Sequence, residues 1–375
     1  MLKTVIKALM KNVFFWQQKK DIVYVFINAS QIGNYPDYEE RSRFYLNGSF
    51  KVIIYKNTVD LIRCLALYGP YRVIFTPSGI SKLVLNNYFL DVDYKSNPSD
   101  GWAWHEAINL IHPSSESEIA ESKQRLVRYY NSLSKHEYSL VMGTGPSLVK
   151  ARKLTNLDCY KIACNTIVKD HKLWLDLKPH FIVAGDAIYH FAHNLHAASF
   201  RRDLKKCLRD YEVPFLYPAL YHPFVKEEFR EFSHLLIPIP TDNSDRLNND
   251  LLNNFHLPSL GNVLNLLLLP LATSITKKIY LLGFDGRKPS DKLFWTNSSD
   301  HSYTEFIPDI QKKHPMFFDY FIDDKNPFKY VNAVHGDALD NNLNALESIG
   351  YEFVVLAPSH TNTMQKRFKP VFDLD

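Results

Sequence analysis

The stretch Leu140-Val141-Met142-Gly143-Thr144-Gly145-Pro146-Ser147-Leu148 decides the fold that we expect. An apolar run enters a turn in which Gly143 and Gly145 allow a tight bend and a close approach to a ligand. Pro146 fixes φ where a helix would begin, and Ser147 adds a hydroxyl beside the free N–H groups of that helix start. Such N–H groups and the helix dipole favour anions, so the stretch predicts a strand, a phosphate-type turn and a helix.

Two more strands with polar ends follow this turn. Lys161–Cys164 precedes Asn165, and Phe181–Ala184 leads through a glycine to Asp186. In open α/β sheets the ligand lies beyond the carboxyl ends of the strands, so phosphate-, amide- and carboxylate-type contacts would meet at one edge. The expected fold class is therefore α/β, with a Rossmann-like nucleotide-binding domain and a mostly parallel sheet. Because Leu148 stands in place of the third glycine of the dinucleotide fingerprint, an ordinary NAD site is not expected.

Further motifs come later in the chain and complete an ordered set. They are Ser259-Leu260-Gly261 before the apolar segment Asn262–Ala272, the strand-like Ile279–Asp285, and a late segment running from His335-Gly336 through Asn344–Glu347 to Val354–Pro358. Over about residues 138–360 this order resembles the bacterial sialyltransferases of glycosyltransferase family 42 and the related motility-associated-factor glycosyltransferases.

The resemblance implies a transferase that moves a 2-keto acid sugar, sialic acid-like or Kdo-like, from a CMP-sugar donor to a glycan or glycolipid acceptor. The fold would be a GT-A-like variant of the Rossmann-like fold, and neither a metal nor another cofactor would be needed. The product would be a surface polysaccharide, a lipooligosaccharide or a glycoprotein. The implied nucleotide contacts are Gly143, Thr144, Gly145, Pro146, Ser147, Asn165, Asp186, Ser259, Gly261 and Asp285.

Two positions depart from the pattern of that family. Thr144 stands where those enzymes usually carry an asparagine between the two glycines. Arg287 stands where they carry a tyrosine that helps the phosphate to leave. Since arginine stays charged and has five donors, Arg287 is expected to stabilise a departing phosphate, although it cannot donate a proton.

A transferase that inverts the configuration of the sugar needs a base for the acceptor hydroxyl, and histidine suits that role near neutral pH. The related enzymes use a histidine between the Gly-x-Asp strand and the last helix. Two residues qualify here, His335 and His301. His335 is the first choice because it lies nearer the matched final helix, and His301, with Asp300 and Tyr303 close by, is the second.

Two alternatives to the transferase stay open. The 6-hydroxymethylpterin pyrophosphokinases share a similar Gly-x-Gly-Pro-Ser domain and use ATP with magnesium. Their chemistry calls for carboxylates at the strand ends, which Asp186 and Asp285 could supply. The other alternative is a non-catalytic subunit that binds a nucleotide or a glycan.

The length of 375 residues predicts two domains, which we expect at 21–136 (an α/β domain with a linker helix) and 137–375 (the nucleotide-sugar domain). In the first of these, strands are expected at Ile22–Ile27, Lys51–Tyr55 and Arg72–Phe75, and helices at Thr58–Leu67 and Glu116–Ser134. The net charge of +4 and the lack of a recognition motif do not point to nucleic acid. Four cysteines without a Cys-x-x-Cys pair indicate a reduced, cytoplasmic chain.

Residues 1–20 predict a basic amphipathic helix, because apolar residues follow helical spacing beside Lys3, Lys7 and Lys11. Such a helix either lies on the anionic inner face of the cytoplasmic membrane or packs on its own domain. A second local pattern, His190, His193 and His196, lacks the i, i+4 spacing of zinc ligands and predicts a solvated helix face.

Overall fold

The computed structural model of the chain describes residues 23–29, 35–57, 59–60, 63, 73–74, 90–287, 300–321 and 336–374. The chain divides into two compact units, Met1–Pro113 with Gln311–Tyr320 and Ser114–Ile310 with Phe321–Asp375. The amphipathic helix predicted at 1–20 and His335 lie outside the described residues.

The strands, in chain order, are β1 Val23–Asn28, β2 Phe50–Tyr55, β3 Val73–Ile74, β4 Tyr138–Met142, β5 Tyr160–Cys164, β6 Phe181–Val183, β7 Phe215–Pro218, β8 Leu236–Ile239, β9 Lys278–Leu282 and β10 Glu352–Val355. The α-helices are α1 Tyr35–Leu46, α2 Asp100–Ile111, α3 Glu116–Ser132, α4 His171–Leu177, α5 Ala187–His190, α6 Leu195–Tyr211, α7 His222–Glu228, α8 Leu269–Ile275, α9 Ile307–Lys313, α10 Pro315–Phe321, α11 Gly336–Glu347 and α12 Asn362–Gln365. Between them lie 3₁₀ helices at Pro146–Leu154, Asn165–Lys169, Ala219–Tyr221, Arg230–Leu235 and Thr304–Phe306, and a π-helical turn at Leu264–Leu268.

The first unit contains a small parallel sheet. Strand β1 pairs with β2 along its whole length and with β3 over two residues. The Arg41 guanidinium of α1 donates to the Asp100 carboxylate of α2 at 2.9 Å, and the Nδ1 of His314 lies 2.9 Å from the same carboxylate. All three side chains are buried, so the segment around His314 supplies part of the interior of this unit.

The second unit is built on a seven-stranded sheet in which every pairing is parallel. The strand order is β10-β9-β4-β5-β6-β7-β8. The chain therefore moves outward from β4 to β8 and then returns to the other side of β4 to form β9. Leu140, Val141 and Met142 of the central strand β4 are fully buried, as expected for a parallel sheet covered on both faces. The predicted α/β class with a parallel sheet is confirmed.

Helix α3 begins with a capping box, in which the Ser115 side chain accepts from the Glu118 N–H and the Glu118 carboxylate accepts from the Ser115 N–H. The helix packs on the edge strand β8, where the Ser122 hydroxyl donates to the carbonyl of Pro238 at 2.9 Å. It ends at Ser132, two residues before the end that its sequence predicts. Among the described residues no helix is long and apolar enough to cross a membrane.

The segments that follow β4 and β9 continue to pair beyond the strand ends. The Gly143 N–H donates to the Leu282 carbonyl at 2.8 Å, and the Gly145 N–H donates to the Gly283 carbonyl at 2.9 Å. A Cβ atom on Gly283 would lie 2.2 Å from the carbonyl oxygen of Gly143, and a Cβ on Gly143 would lie 2.5 Å from that of Gly283. Gly283 also has φ of +83°. The two glycines are therefore required by the contact of two backbones.

We expect Gly283→Ala to lower the free energy of unfolding by more than about 2 kcal/mol, because the new methyl group meets a backbone carbonyl and the residue must keep a left-handed φ. Gly350→Ala is the matched control, since Gly350 has φ of +92° and no atom within 4 Å of an added Cβ. It should lose only about 1 kcal/mol. Urea unfolding of both variants measures the difference, and equal losses would contradict the role of the backbone contact.

Candidate functional site

The carboxyl ends of β9, β4, β5 and β6 lie side by side in the sheet. The chain continues from β4 to β5 on one side and from β9 to β10 on the other side. The two connections therefore diverge and leave a crevice between the ends of β4 and β9. In α/β proteins such a crevice is the usual position of a bound ligand. The turn Gly143–Ser147, Asn165, Asp186 and Asp285 all lie within five residues of the ends of these four strands. The structure thus brings the central group of sequence-predicted residues to one edge.

The predicted phosphate-type turn already holds a carboxylate, that of Asp285. The N–H of Ser147 lies 3.1 and 3.3 Å from the two carboxylate oxygens, and its hydroxyl donates to Oδ2 at 2.9 Å. A Cβ atom on Gly145 would lie only 2.1 Å from the same oxygen, so the carboxylate rests against the turn. A phosphate that binds here must therefore displace this carboxylate, or share a proton or a bound cation with it.

The predicted helix after the turn is present and is a 3₁₀ helix. Residues Pro146–Leu154 form a 3₁₀ helix, and the Leu148 N–H closes its first turn by bonding to the carbonyl of Gly145 at 3.0 Å. The tighter winding keeps Ser147 against the end of β9, where its hydroxyl also accepts from the N–H of Gly283 at 3.2 Å. Burial raises the pKa of Asp285, and the hydrogen bonds from Ser147 oppose that shift.

Asn165 follows β5 with a left-handed backbone, φ of +50°. Its side-chain oxygen is buried and has no hydrogen-bond partner among the described residues. Register places it beside the end of β6, because the preceding Cys164 pairs with Val183. A strained backbone and an unsatisfied acceptor at a strand end are features that ligand sites tolerate and plain structure avoids.

Asp186 caps the short helix α5. Its Oδ1 accepts from the N–H groups of Ile188 and Tyr189, both at 2.8 Å, and its own N–H donates to Nδ1 of His190 at 3.1 Å. Burial raises the pKa of this carboxyl to about 6, although the two N–H groups favour the ionised form. Asp186 can therefore change its protonation near pH 6 at the carboxyl edge of the sheet.

The prediction of a solvated face at His190, His193 and His196 is wrong for two of the three. His190 and His196 are exposed by only 2% and 1%, because the chain turns between α5 and α6 and folds both rings inward. His190 accepts from the backbone of Asp186, and Nδ1 of His196 donates to the carbonyl of Tyr189 at 2.9 Å. Burial lowers the pKa of both rings, that of His196 to about 4. These histidines are neutral interior residues.

The segment that carries His301 docks on the 3₁₀ helix after β5. The Thr166 hydroxyl donates to the His301 carbonyl, and Nζ of Lys169 donates to the Ser302 carbonyl at 2.8 Å. Since Thr166 is the neighbour of Asn165 in the chain, this docking brings His301 close to the carboxyl edge. The ring is 2% exposed, and its Nδ1 has no partner among the described residues.

Asp170 lies beside this ring. Its Oδ2 is 3.2 Å from Nε2 of His301 and 2.7 Å from Nη2 of Arg152, while Oδ1 accepts from the Leu173 N–H at 2.9 Å. Burial raises the pKa of Asp170, but the contacts with His301, the Leu173 N–H and Arg152 outweigh it and hold the pKa below its ordinary value. An ionised carboxylate thus lies beside Nε2, although neither ring nitrogen has a hydrogen-bond partner among the described residues.

Ser259 and Gly261 lie outside the central group. Both are exposed, and the Ser259 N–H donates to the Ser244 carbonyl at 2.7 Å. They lead to Asn262, whose side chain accepts from the N–H of Asn265 at 3.0 Å at the start of the π-helical turn. Arg287 is half-buried on the segment that follows Asp285.

Sequence reasoning missed three residues of this region, Arg152, Asp170 and Asn265. Arg152 and Asp170 carry no motif, and only the fold joins them to His301. Asn265 had a usable signal, because it is a single amide inside a run of leucines. Its side chain is 2% exposed, and the side-chain oxygen has no partner among the described residues.

Within the part of the chain that the structure describes, no group of three or more histidine, cysteine, aspartate or glutamate residues could hold a metal ion. Comparisons with protein-family models, with curated proteins and with solved structures found no match to this chain.

Asp186→Asn tests the protonation of the Asp186 carboxyl. Its pKa of about 6 in the folded chain lies above the ordinary 3.8, so the folded state binds the proton more tightly and loses stability as the pH rises from about 4 to about 6. The asparagine can still cap α5 and does not titrate, so its advantage over wild type should grow over that window. The advantage should grow by about 3 kcal/mol in total and level off above pH 7.

Urea unfolding between pH 4 and pH 8 measures this difference. Asp210→Asn is the control, because an exposed ion pair with Lys206 lowers the pKa of Asp210 and no gain with rising pH is expected. A constant difference between Asp186→Asn and wild type over this pH range would contradict the buried titration.

Proposed function

We propose that this chain is a glycosyltransferase that moves a 2-keto acid sugar from a CMP-sugar donor to a hydroxyl group of a glycan acceptor. The order of its motifs, from Gly143–Ser147 to Val354–Pro358, supports this proposal through the resemblance to the family 42 sialyltransferases. The observation that carries it is the pair of His301 and Asp170 beside the edge that holds the nucleotide-type residues.

Sugar transfer needs a general base such as histidine, whereas nucleotide binding alone does not. In the proposed step the acceptor oxygen attacks the anomeric carbon of the sugar and forms the new glycosidic bond. The bond from that carbon to the phosphate oxygen of CMP breaks, and CMP leaves with the electron pair. Nδ1 of His301 takes the proton of the acceptor hydroxyl, and Asp170 stabilises the cationic ring that results.

The other charged residues have distinct parts in this scheme. Arg287, on the segment after β9, would stabilise the charge that develops on the departing phosphate. Arg152, 2.7 Å from Asp170, adds to the contacts with His301 and the Leu173 N–H that hold the pKa of this carboxyl below its ordinary value. His335, the first choice for the base from sequence, lies outside the described residues, and its role stays a prediction.

A second candidate function has its own observation, the contact of Ser147 with Asp285. A hydroxyl and a carboxylate at the ends of adjacent central strands is the arrangement with which P-loop enzymes hold the magnesium of a nucleotide. The same pair here, with Oγ and Oδ2 at 2.9 Å, favours an ATP- and magnesium-dependent pyrophosphokinase of the 6-hydroxymethylpterin type. That reaction does not call for the His301–Asp170 pair, so we rank it second.

Thermal unfolding with CMP, UDP, GDP and ATP, each with and without magnesium, separates the two functions. A ligand at about 100 times its dissociation constant should stabilise the fold by about 2.7 kcal/mol, a shift of several degrees. Stabilisation by CMP that is independent of magnesium supports the transferase. Stabilisation that needs ATP together with magnesium would overturn it in favour of the pyrophosphokinase.

For a CMP-sugar that passes this test, we expect His301→Ala to lower kcat by about 10²–10⁴-fold, because it removes the base. The affinity for CMP should stay unchanged. His256→Ala is the control, since His256 is half-buried and pairs with Asp242 at 3.0 Å rather than with Asp170. Transfer assays with both variants and with His335→Ala give the comparison. Full activity of His301→Ala would exclude His301 as the base.

A further inference from the structure

Tyr303 lies two residues after His301 in the chain, and its side chain is buried. Its hydroxyl donates to Oδ2 of Asp203 at 2.6 Å, and the carbonyl of Ser199 is a more distant acceptor at 3.3 Å. Burial and the bonded carboxylate raise the pKa of Tyr303, so the hydroxyl keeps its proton and acts as the donor. The proposed transfer step does not use this buried hydrogen bond to a charged group.

The acceptor of this hydrogen bond is itself firmly held. Asp203 belongs to α6, which runs over 17 residues, and its side chain is buried. The Arg202 guanidinium donates to both oxygens of the carboxylate, at 2.9 and 3.0 Å. A carboxylate with a bidentate arginine partner on a long helix has little freedom to move. The hydroxyl of Tyr303 is therefore tied to a fixed point in the second unit.

The ring of Tyr303 is packed independently of its hydroxyl. The His196 ring meets it edge to face with centroids 5.3 Å apart, and Nζ of Lys169 lies 5.1 Å from its centroid. A phenylalanine at this position keeps both contacts with the ring. Tyr303→Phe therefore removes the hydrogen bond to Asp203 and leaves the packing in place.

The placement of the His301 ring depends on attachments of its own segment. Nε2 lies 3.2 Å from Oδ2 of Asp170, but neither ring nitrogen has a hydrogen-bond partner among the described residues. The segment is instead attached through the backbone and through Tyr303. The Thr166 hydroxyl bonds the carbonyl of His301, and the Tyr303 hydroxyl bonds Asp203 two residues later. A displacement of about 1 Å at a reacting group can cost about 10²-fold in rate, so these attachments matter for a base.

We propose that Tyr303, through its hydrogen bond to Asp203, is the positioning residue that holds the His301 ring beside Asp170. The inference rests on the proposed function only for its effect on catalysis, because the placement of the ring is a property of the chain without ligand. The position of the ring and the reaction can therefore be tested separately.

The first test measures the accessibility of the His301 ring. Diethyl pyrocarbonate modifies accessible neutral imidazoles, and mass spectrometry of the peptides locates the product. In wild type, His301 should react slowly because it is 2% exposed, whereas the exposed His234 should react readily. In Tyr303→Phe the rate at His301 should rise severalfold, because the segment opens more frequently without its hydrogen bond. The rate at His234 should stay the same.

Tyr217→Phe is the matched control. The side chain of Tyr217 is buried in the same unit, and its hydroxyl lies 2.8 Å from Nδ1 of His222. This variant also loses a buried tyrosine hydrogen bond, so it reports the effect of a general loss of stability. The rate at His301 should not rise in it. An unchanged rate in Tyr303→Phe, or an equal rise in both variants, would overturn the inference.

A second variant removes the acceptor in place of the donor. Asp203→Ala should raise the rate at His301 as Tyr303→Phe does. The double variant should react little faster than either single variant, because both substitutions break the same hydrogen bond. Effects of the two substitutions that simply add would overturn the inference.

The kinetic test uses a CMP-sugar that the chain accepts as a donor. Tyr303→Phe should lower kcat by about 10–10²-fold and leave KM for the donor unchanged, because a displaced base affects the chemical step and not donor binding. Tyr217→Phe should keep the kcat of wild type. Faster labelling of His301 with an unchanged kcat would support the placement of the ring by Tyr303 and overturn the role of His301 as the base. A lower kcat without faster labelling would overturn the inference.

Discussion

The contact between the backbones of Gly143 and Gly283 is the constraint on which the rest of the site depends. It joins the segments after β4 and β9 at the point where the chain reverses its direction across the sheet. No side chain fits there, since added Cβ atoms would lie 2.5 Å or less from a carbonyl oxygen. Because the two backbones meet, the carboxylate of Asp285 reaches the hydroxyl of Ser147. The turn after β4 is therefore a polar site that already contains a carboxylate.

Electrostatics divide the buried carboxyls near this edge into two kinds. Asp186 and Asp285 gain too few hydrogen bonds to offset their burial, and their pKa values rise. Asp170 is more deeply buried, but the His301 imidazole, the Leu173 N–H and the Arg152 guanidinium compensate it, and its pKa falls. The first kind can take up a proton when an anionic ligand arrives, which reduces repulsion. The second kind holds a negative charge 3.2 Å from Nε2 of His301.

The sheet could be predicted from sequence because its signal is local. Runs such as Leu140–Met142 and Phe181–Ala184 are apolar, short and bounded by turn residues, and each became a buried strand. The histidines of α5 and α6 could not be predicted in the same way. Their spacing predicts a solvated face, whereas the bend at Phe191–Asn194 separates them onto two helices and buries His190 and His196. Helical periodicity describes burial only within one continuous helix.

The sequence by itself determined the parallel α/β class and the polar residues at the strand ends, because both follow from residue types that are adjacent in the chain. Only the tertiary structure decided which groups meet. It joined Ser147 to Asp285 across 138 residues and His301 to Asp170 across the strands between them. It also left the oxygens of Asn165 and Asn265 without partners among the described residues. Such pairings depend on strand order and helix direction, and these are set by the burial of whole faces rather than by any local pattern.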